Sequence, residues 1–173
     1  MNCINVQEQE TWLKDQKMQG QPYGSDNAPK HYIQFYAPKH LRAVEAFAHN
    51  LTDLYFPSNK ALLSITDWAL YQPYEMRLFD CVRSIHGEKR WLIDAPGHLF
   101  STSEKDDLIG LFSLSVAFEW TSYIYFPDAR VTLLNWEGVI FDFWTDDSKQ
   151  LIAVSELLKS FSLEHTKDKA KAR

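Results

Sequence analysis

The chain predicts an α+β fold, a mixed α/β arrangement in which helices pack on a mostly antiparallel sheet that ends in a three-strand meander and a closing helix. Three observations carry that expectation. Helical-period and strand-period segments alternate from residue 31 onward, three short aromatic runs follow one another between residues 120 and 144, and an amphipathic stretch begins after Asp147.

The elements follow in order. Residues 1–30 are polar, with a short helix around Val6 to Met18 and then a breaker-rich stretch from Gly20 to Pro29, and read as an N-terminal arm or peripheral helix. His31 to Tyr36 alternates with Ile33 and Phe35 on one face, the period of a strand. Pro38 suits the first turn of a helix whose apolar positions Leu41, Val44, Phe47, Ala48 and Leu51 recur at helical spacing, ending near Tyr55 before Pro57. Leu62 to Tyr71 predicts a second strand. Pro73 opens a helix to Ile85, with Met76, Phe79, Val82 and Arg83 on one side and Gly87 as its stop. Arg90 to Asp94 predicts a short strand before an Ala95-Pro96-Gly97 turn. Ser103 and Asp106 suit the cap of a third helix, which carries Leu108, Leu111, Phe112, Ser115 and Val116.

The meander comprises Trp120 to Phe126, Val131 to Trp136 and Val139 to Trp144, split by Pro127-Asp128 and by Glu137-Gly138, the latter a tight hairpin with Gly138 at a positive φ. Asp146, Asp147 or Ser148 can cap a last helix bearing Leu151, Ile152, Val154, Leu157, Leu158 and Phe161. Residues 31–162 are thus expected to form a single domain, and 163–173 a disordered tail.

A chain of 173 residues is long enough to bury a core without metal or disulfide support. Six Trp, eight Tyr and eleven Phe make it unusually aromatic, which argues against disorder in its body. Cys3 and Cys81 lie far apart and suggest a reducing compartment, so a cytoplasmic location is expected. No apolar run is long enough to predict a membrane-spanning helix, and residues 1–18 lack the pattern of a secretory signal.

Charge is unevenly spread. Met1 to Leu92 balances ten acids against ten bases, Asp94 to Asp147 carries −8, and Ser148 to Arg173 carries +3, which together make the net −5. A concentrated negative segment repels phosphate backbones and attracts basic surfaces, so a basic protein partner is expected and direct nucleic-acid binding is not.

Within that segment Glu119, Glu137, Asp142, Asp146 and Asp147 fall at strand ends and turns among Trp120, Trp136 and Trp144. These eight residues are the expected partner-binding set, since aromatic anchors beside complementary charge are enriched in protein interfaces. In the last strand Val139, Phe141 and Phe143 share one side, the core side, while Ile140, Asp142 and Trp144 share the other. That other side is either packed under a helix or a binding surface.

Rival chemistries are thin. Convergent carboxylates could serve acid–base catalysis or hold a hard cation, but no calcium-loop spacing is present. Asp94 and His98 flank a Pro-Gly turn and supply only two ligands to a metal, and Cys81 and His86 stand five apart, poor spacing for contact on a helix. No phosphate loop, nucleotide fingerprint, nucleophile elbow or zinc cluster occurs, so no cofactor, metal or catalytic residue is expected.

Asn135-Trp136-Glu137-Gly138, followed by Phe141-Asp142-Phe143-Trp144 and a capped terminal helix, resembles the small acidic immunity proteins that bacteria keep against their own toxins, over the last third of the chain. The resemblance implies an inhibitor that blocks a basic toxin or nuclease domain sterically and electrostatically. The alternatives are a small hydrolase or transferase with an acidic cleft, and a generic adaptor or structural module.

Overall fold

The computed structural model describes residues 1–56, 60–68 and 71–166, and among them the strands β1 (Asn2–Ile4), β2 (His31–Tyr36), β3 (Ala61–Asp67), β4 (Gly97–Phe100), β5 (Thr121–Phe126), β6 (Val131–Trp136) and β7 (Ile140–Thr145) form one sheet. Its order is β1-β4-β3-β5-β6-β7-β2, with every neighbouring pair antiparallel. The helices are α1 (Val6–Asp15), α2 (Leu41–Tyr55), α3 (Pro73–Ile85), α4 (Lys105–Ala117) and α5 (Ser148–Ser160). This is the α+β fold read from the sequence, with its C-terminal meander and closing helix.

Side chains alternate across each strand, so the sheet has two faces. On the first, Phe35, Leu63, Ile65, Ile124, Phe126, Leu133, Phe141 and Phe143 are buried in one cluster with Phe47 and Leu51 of α2, Phe79 of α3, Leu108 and Phe112 of α4 and Val154 and Leu158 of α5. Ring pairs knit this layer together: Phe35 meets Phe141 edge-on at 5.5 Å, and Phe112 meets Phe141 at 5.9 Å. On the second face Leu62, Tyr123, Tyr125, Leu134 and Trp144 cluster with Ile4 and with Leu13 of α1.

Local chemistry sets the boundaries. Asn5 and Glu8 form a reciprocal capping box on α1, Pro73 opens α3, and Asp147 caps α5 by accepting from the Lys149 N–H at 2.8 Å. The β6–β7 connection, residues 137–139, holds Glu137 at φ 48° and Gly138 at φ 67°, and the Val139 N–H donates to the Trp136 carbonyl at 2.9 Å to close the turn. Asn135 fastens that turn. Its side-chain Oδ1 accepts from the Gly138 N–H at 2.9 Å and its side-chain Nδ2 donates to the Trp120 backbone carbonyl at 2.8 Å.

Five expectations need correction. Arg90 to Asp94 is not a strand but a turn, in which the Asp94 and Ala95 N–H groups donate back to the Trp91 carbonyl; the strand is Gly97–Phe100, where a turn was expected. Pro38 lies outside α2, which begins at Leu41 with His40 at its cap position. The N-terminal segment does contain the expected helix, α1, yet it is not an arm, because Asn2–Ile4 pairs with β4 as a strand of the sheet. Finally, the start of the expected tail is ordered. The Tyr36 N–H donates to the Glu164 carbonyl at 3.2 Å, and the Thr166 N–H donates to the Gln34 carbonyl at 3.1 Å. The second strand also stops at Asp67, short of the expected Tyr71, with Trp68 and Tyr71 outside any strand; residues 69–70 and the basic residues Lys167 to Arg173 lie outside the described residues.

Two glycines make opposite predictions. A Cβ at Gly138 would stand 2.3 Å from the Val116 carbonyl oxygen on a left-handed backbone, whereas a Cβ at Gly110 inside α4 meets open space. Urea denaturation should show Gly138→Ala less stable by about 2 kcal/mol or more, and Gly110→Ala more stable by about 0.5–1 kcal/mol.

Candidate binding surfaces

The structure separates the eight residues expected to form one acidic and aromatic rim. Glu119 sits exposed in the turn between α4 and β5, beside the exposed Glu137 of the β6–β7 hairpin, so these two are brought together. Asp146 and Asp147 are exposed at the opposite end of β7, roughly 20 Å away along a six-residue strand. There Asp146 accepts from the Lys30 N–H and Asp147 is occupied as a helix cap. Trp120 and Trp144 are 1% and 3% exposed, and Asp142 is fully buried. Trp136 is half-buried and donates its indole N–H to Asp142. The single rim is therefore not formed. Strand alternation turns Asp142, Trp144 and Trp136 onto the second face, and the segment before β2 covers that face.

Asp142 is satisfied there by neutral donors. It accepts from Tyr32 Oη at 2.7 Å, Gln34 Nε2 at 2.8 Å and Trp136 Nε1 at 2.6 Å. Burial and the Asp142 carboxylate together push the Tyr32 phenol well above its ordinary value.

The strand registers place Asp142 in a row of residues that crosses the whole second face: Gly97, Ser64, Tyr123, Leu134, Asp142 and Gln34 are successive cross-strand partners. Over its Gly97 end lies Gln9 of α1. A Cβ on Gly97 would fall 2.6 Å from the Gln9 side chain, so the glycine makes the room in which that side chain rests on the sheet.

Beside it opens a cleft of about 560 Å³ between α1 and strands β3 and β5. Its walls include Val6, Leu13, Trp68, Ile93 and Pro96, and its polar groups come from Gln9, Gln21, Ser64, Thr66 and Tyr123, with Glu10 the one charged lining residue.

A second surface lies on the other side of the molecule's sheet, on α3. Tyr74, Leu78 and Ile85 are 61%, 49% and 79% exposed and fall within about 40° of one another around the helix, with exposed Cys81 in the same stripe. The turn that follows adds Trp91 and Ile93, 73% and 71% exposed. The sequence reading took only the inward stripe of α3. The outward signal, apolar residues at spacings of four, three and four from Tyr74, was there to be read. Nothing in composition pointed to Gln9, Ser64 and Tyr123, which only the registers bring together.

The expected pairs for rival chemistry are apart. Asp94 is exposed while His98 is fully buried on the first face, where it meets the Phe79 ring at 5.4 Å. His86 is held by Asp107 at 2.9 Å rather than by Cys81. Among the described residues no group of three or more His, Cys, Asp or Glu is placed to hold a metal, and no helix is long and apolar enough to cross a membrane.

His98 generates a pH prediction. Burial, then the Arg83 guanidinium, push its imidazole down to about 3 from an ordinary 6.5. Between those values the unfolded chain binds a proton that the folded chain refuses, so stability is full above pH 6.5 and falls as pH drops through the window. The contribution of this one group is about 1.4 kcal/mol per pH unit. Urea denaturation across that range should show a shallower pH slope in His98→Phe than in the wild type, whatever the substitution does to stability at neutral pH.

No protein-family model, curated protein or solved structure matches this chain, so its functional reading rests on its own geometry.

Proposed function

We propose that the chain is a protein-binding inhibitor that blocks a basic partner, with its contact surface on α3 and the turn after it rather than on the meander. One observation carries this reading: six large apolar side chains left exposed, Tyr71, Tyr74, Leu78, Ile85, Trp91 and Ile93, fall within a single stretch of the chain. Patches of that kind on a folded protein mark interaction sites, and Trp and Tyr supply much of the energy in such contacts.

Charge supports a basic partner through the whole chain, which is net −5, and through exposed Asp94 beside Ile93, while residues 73–94 themselves balance four acids against four bases. The resemblance to bacterial immunity proteins suggests a toxin or nuclease domain as that partner, held by apolar anchors after electrostatic steering. The free thiols Cys3 and Cys81 suit a reducing, cytoplasmic setting.

The test is calorimetric titration against the product of the neighbouring reading frame, at low and high salt. Association should weaken with salt. Ile85→Ser and Trp91→Ala should each weaken it by about tenfold or more, with Glu137→Lys staying within about twofold. The reverse ranking would return the contact to the meander, and a failure to associate would remove the inhibitor reading.

A further inference from the structure

We propose that the cleft between α1 and the second face of the sheet is a binding site for a small uncharged molecule, an apolar ring carrying a carboxamide or lactam edge. This is independent of the partner surface on α3.

The site is built from three side chains that the fold largely buries and leaves without a hydrogen-bond partner in the protein. Gln9, Ser64 and Tyr123 are 6%, 7% and 6% exposed, and all three line the cleft. Among the described residues the Gln9 carboxamide, the Ser64 hydroxyl and the Tyr123 hydroxyl have no protein hydrogen-bond partner, and none of these atoms is sealed from the cleft as the orphan atoms of the core are. The three residues are more than nine-tenths buried while their polar atoms stay open to the cleft, so solvent or a ligand entering it must supply their partners. Four other side chains on the same face are paired: Tyr125 donates to the Gly20 carbonyl, and Tyr32, Gln34 and Trp136 all donate to Asp142.

Position strengthens the point. Ser64 and Tyr123 are direct cross-strand partners, and Gly97 on the other side of Ser64 is the residue whose missing side chain seats Gln9. The three residues therefore line one cleft from a strand pair and a helix. A carboxamide is donor and acceptor at once, and a hydroxyl is both, so together they match a ligand edge that alternates donor and acceptor, as amides and lactams do.

Charge excludes the alternatives. No Lys, Arg or His lines the cleft, so an anion finds no cation. The Tyr123 hydroxyl, pushed up to about 12 by burial and by Asp142, lies in a negative field. A buried cation would also lack a partner, because Asp142 is already engaged by three donors and Glu10 is exposed at the rim. Val6, Leu13 and Pro96 supply apolar walls for a ring, and the volume of about 560 Å³ is that of a small-molecule site.

The experiment uses the isotopically labelled full chain and the neutral probes benzamide, nicotinamide and uracil, with benzoate and nicotinate as charged isosteres, followed by backbone-amide NMR shifts at millimolar concentration. At least one neutral probe should shift the signals of Gln9, Ser64, Gly97 and Tyr123, and the carboxylates should not. Tyr123→Phe and Ser64→Ala should each weaken that response by about tenfold while leaving the melting temperature within about 3 °C, because the hydroxyls they remove hold nothing inside the protein. No neutral probe shifting those signals, equal shifts from the carboxylates, or undiminished binding by both variants would overturn the proposal. So would a loss of melting temperature in both variants, which would make the hydroxyls structural.

Discussion

Strands β5, β6 and β7 carry large side chains on both faces, Ile124 and Phe143 on one and Tyr125 and Trp144 on the other, and the sheet cannot leave either face to water. Four helices cover the first face. The second has only the stretch before β2 to cover it, and the dimensions do not match. Seven strands at about 4.8 Å spacing make a sheet some 29 Å wide, while ten residues of α1 make a rod about 15 Å long. Residues 16–30 complete the cover as an irregular strap, tied down where Arg130 donates to the Gln16 and Lys17 carbonyls, where Tyr125 donates to Gly20, and where the Tyr23 ring meets Trp136 at 5.3 Å. The cleft is what remains uncovered between rod and strap. Its polar lining follows from the same shortage, since strand positions under a complete helix layer are mostly apolar, as on the first face, where the polar exceptions include His98, Ser122 and Asn135.

The edges of the sheet show a related economy. An open edge invites pairing with another chain. The outer edge of β1 is only three residues long, and its Cys3 carbonyl accepts from the Arg90 guanidinium at 2.7 Å. The outer edge of β2 is met by Glu164 to Thr166, which begin an antiparallel pairing with Gln34 and Tyr36. Both edges are thus blunted by the chain's own ends and loops, and a partner is left with side-chain surfaces rather than a backbone edge.

Much of this fold was legible in the sequence, for reasons that particular elements make plain. The meander could be read because Glu137-Gly138 demands positive φ between alternating aromatics, and α3 because Pro73 and Gly87 bracket a helical period. β4 could not: Gly97 to Phe100 holds four residues with a glycine and a histidine, and its strand character comes from pairing on both sides, with β1 and β3. The acidic rim failed for a different reason. Charge along a chain is one-dimensional, and the period of two that sends Asp142 to the second face also decides whether that face is covered, which depends on residues more than a hundred positions earlier. The cleft was illegible on the same ground, because its polar groups are separated in sequence and joined only through register.

α3 stands apart from the other helices in how both of its sides are served. Its outer stripe is apolar and exposed. Beneath it the packing around Phe79 leaves polar atoms unpaired: Arg83 Nε on the helix itself, Nε2 of His98, whose ring is 5.4 Å from that of Phe79, and Nε1 of Trp120, whose ring is 5.3 Å from it. Each such group costs about 1–3 kcal/mol of desolvation, set against the bonds that Arg83 makes to Asp80 and to the Ala95 carbonyl. Local stability is uneven in folded chains, and segments that engage partners are drawn from its lower end. A protein that covers Tyr74, Leu78 and Ile85 would hold α3 against the sheet, and mass action would then return that binding energy as stability of the helix it covers. The two surfaces also adjoin: Ile93 follows Trp91 in one turn and forms part of the cleft wall.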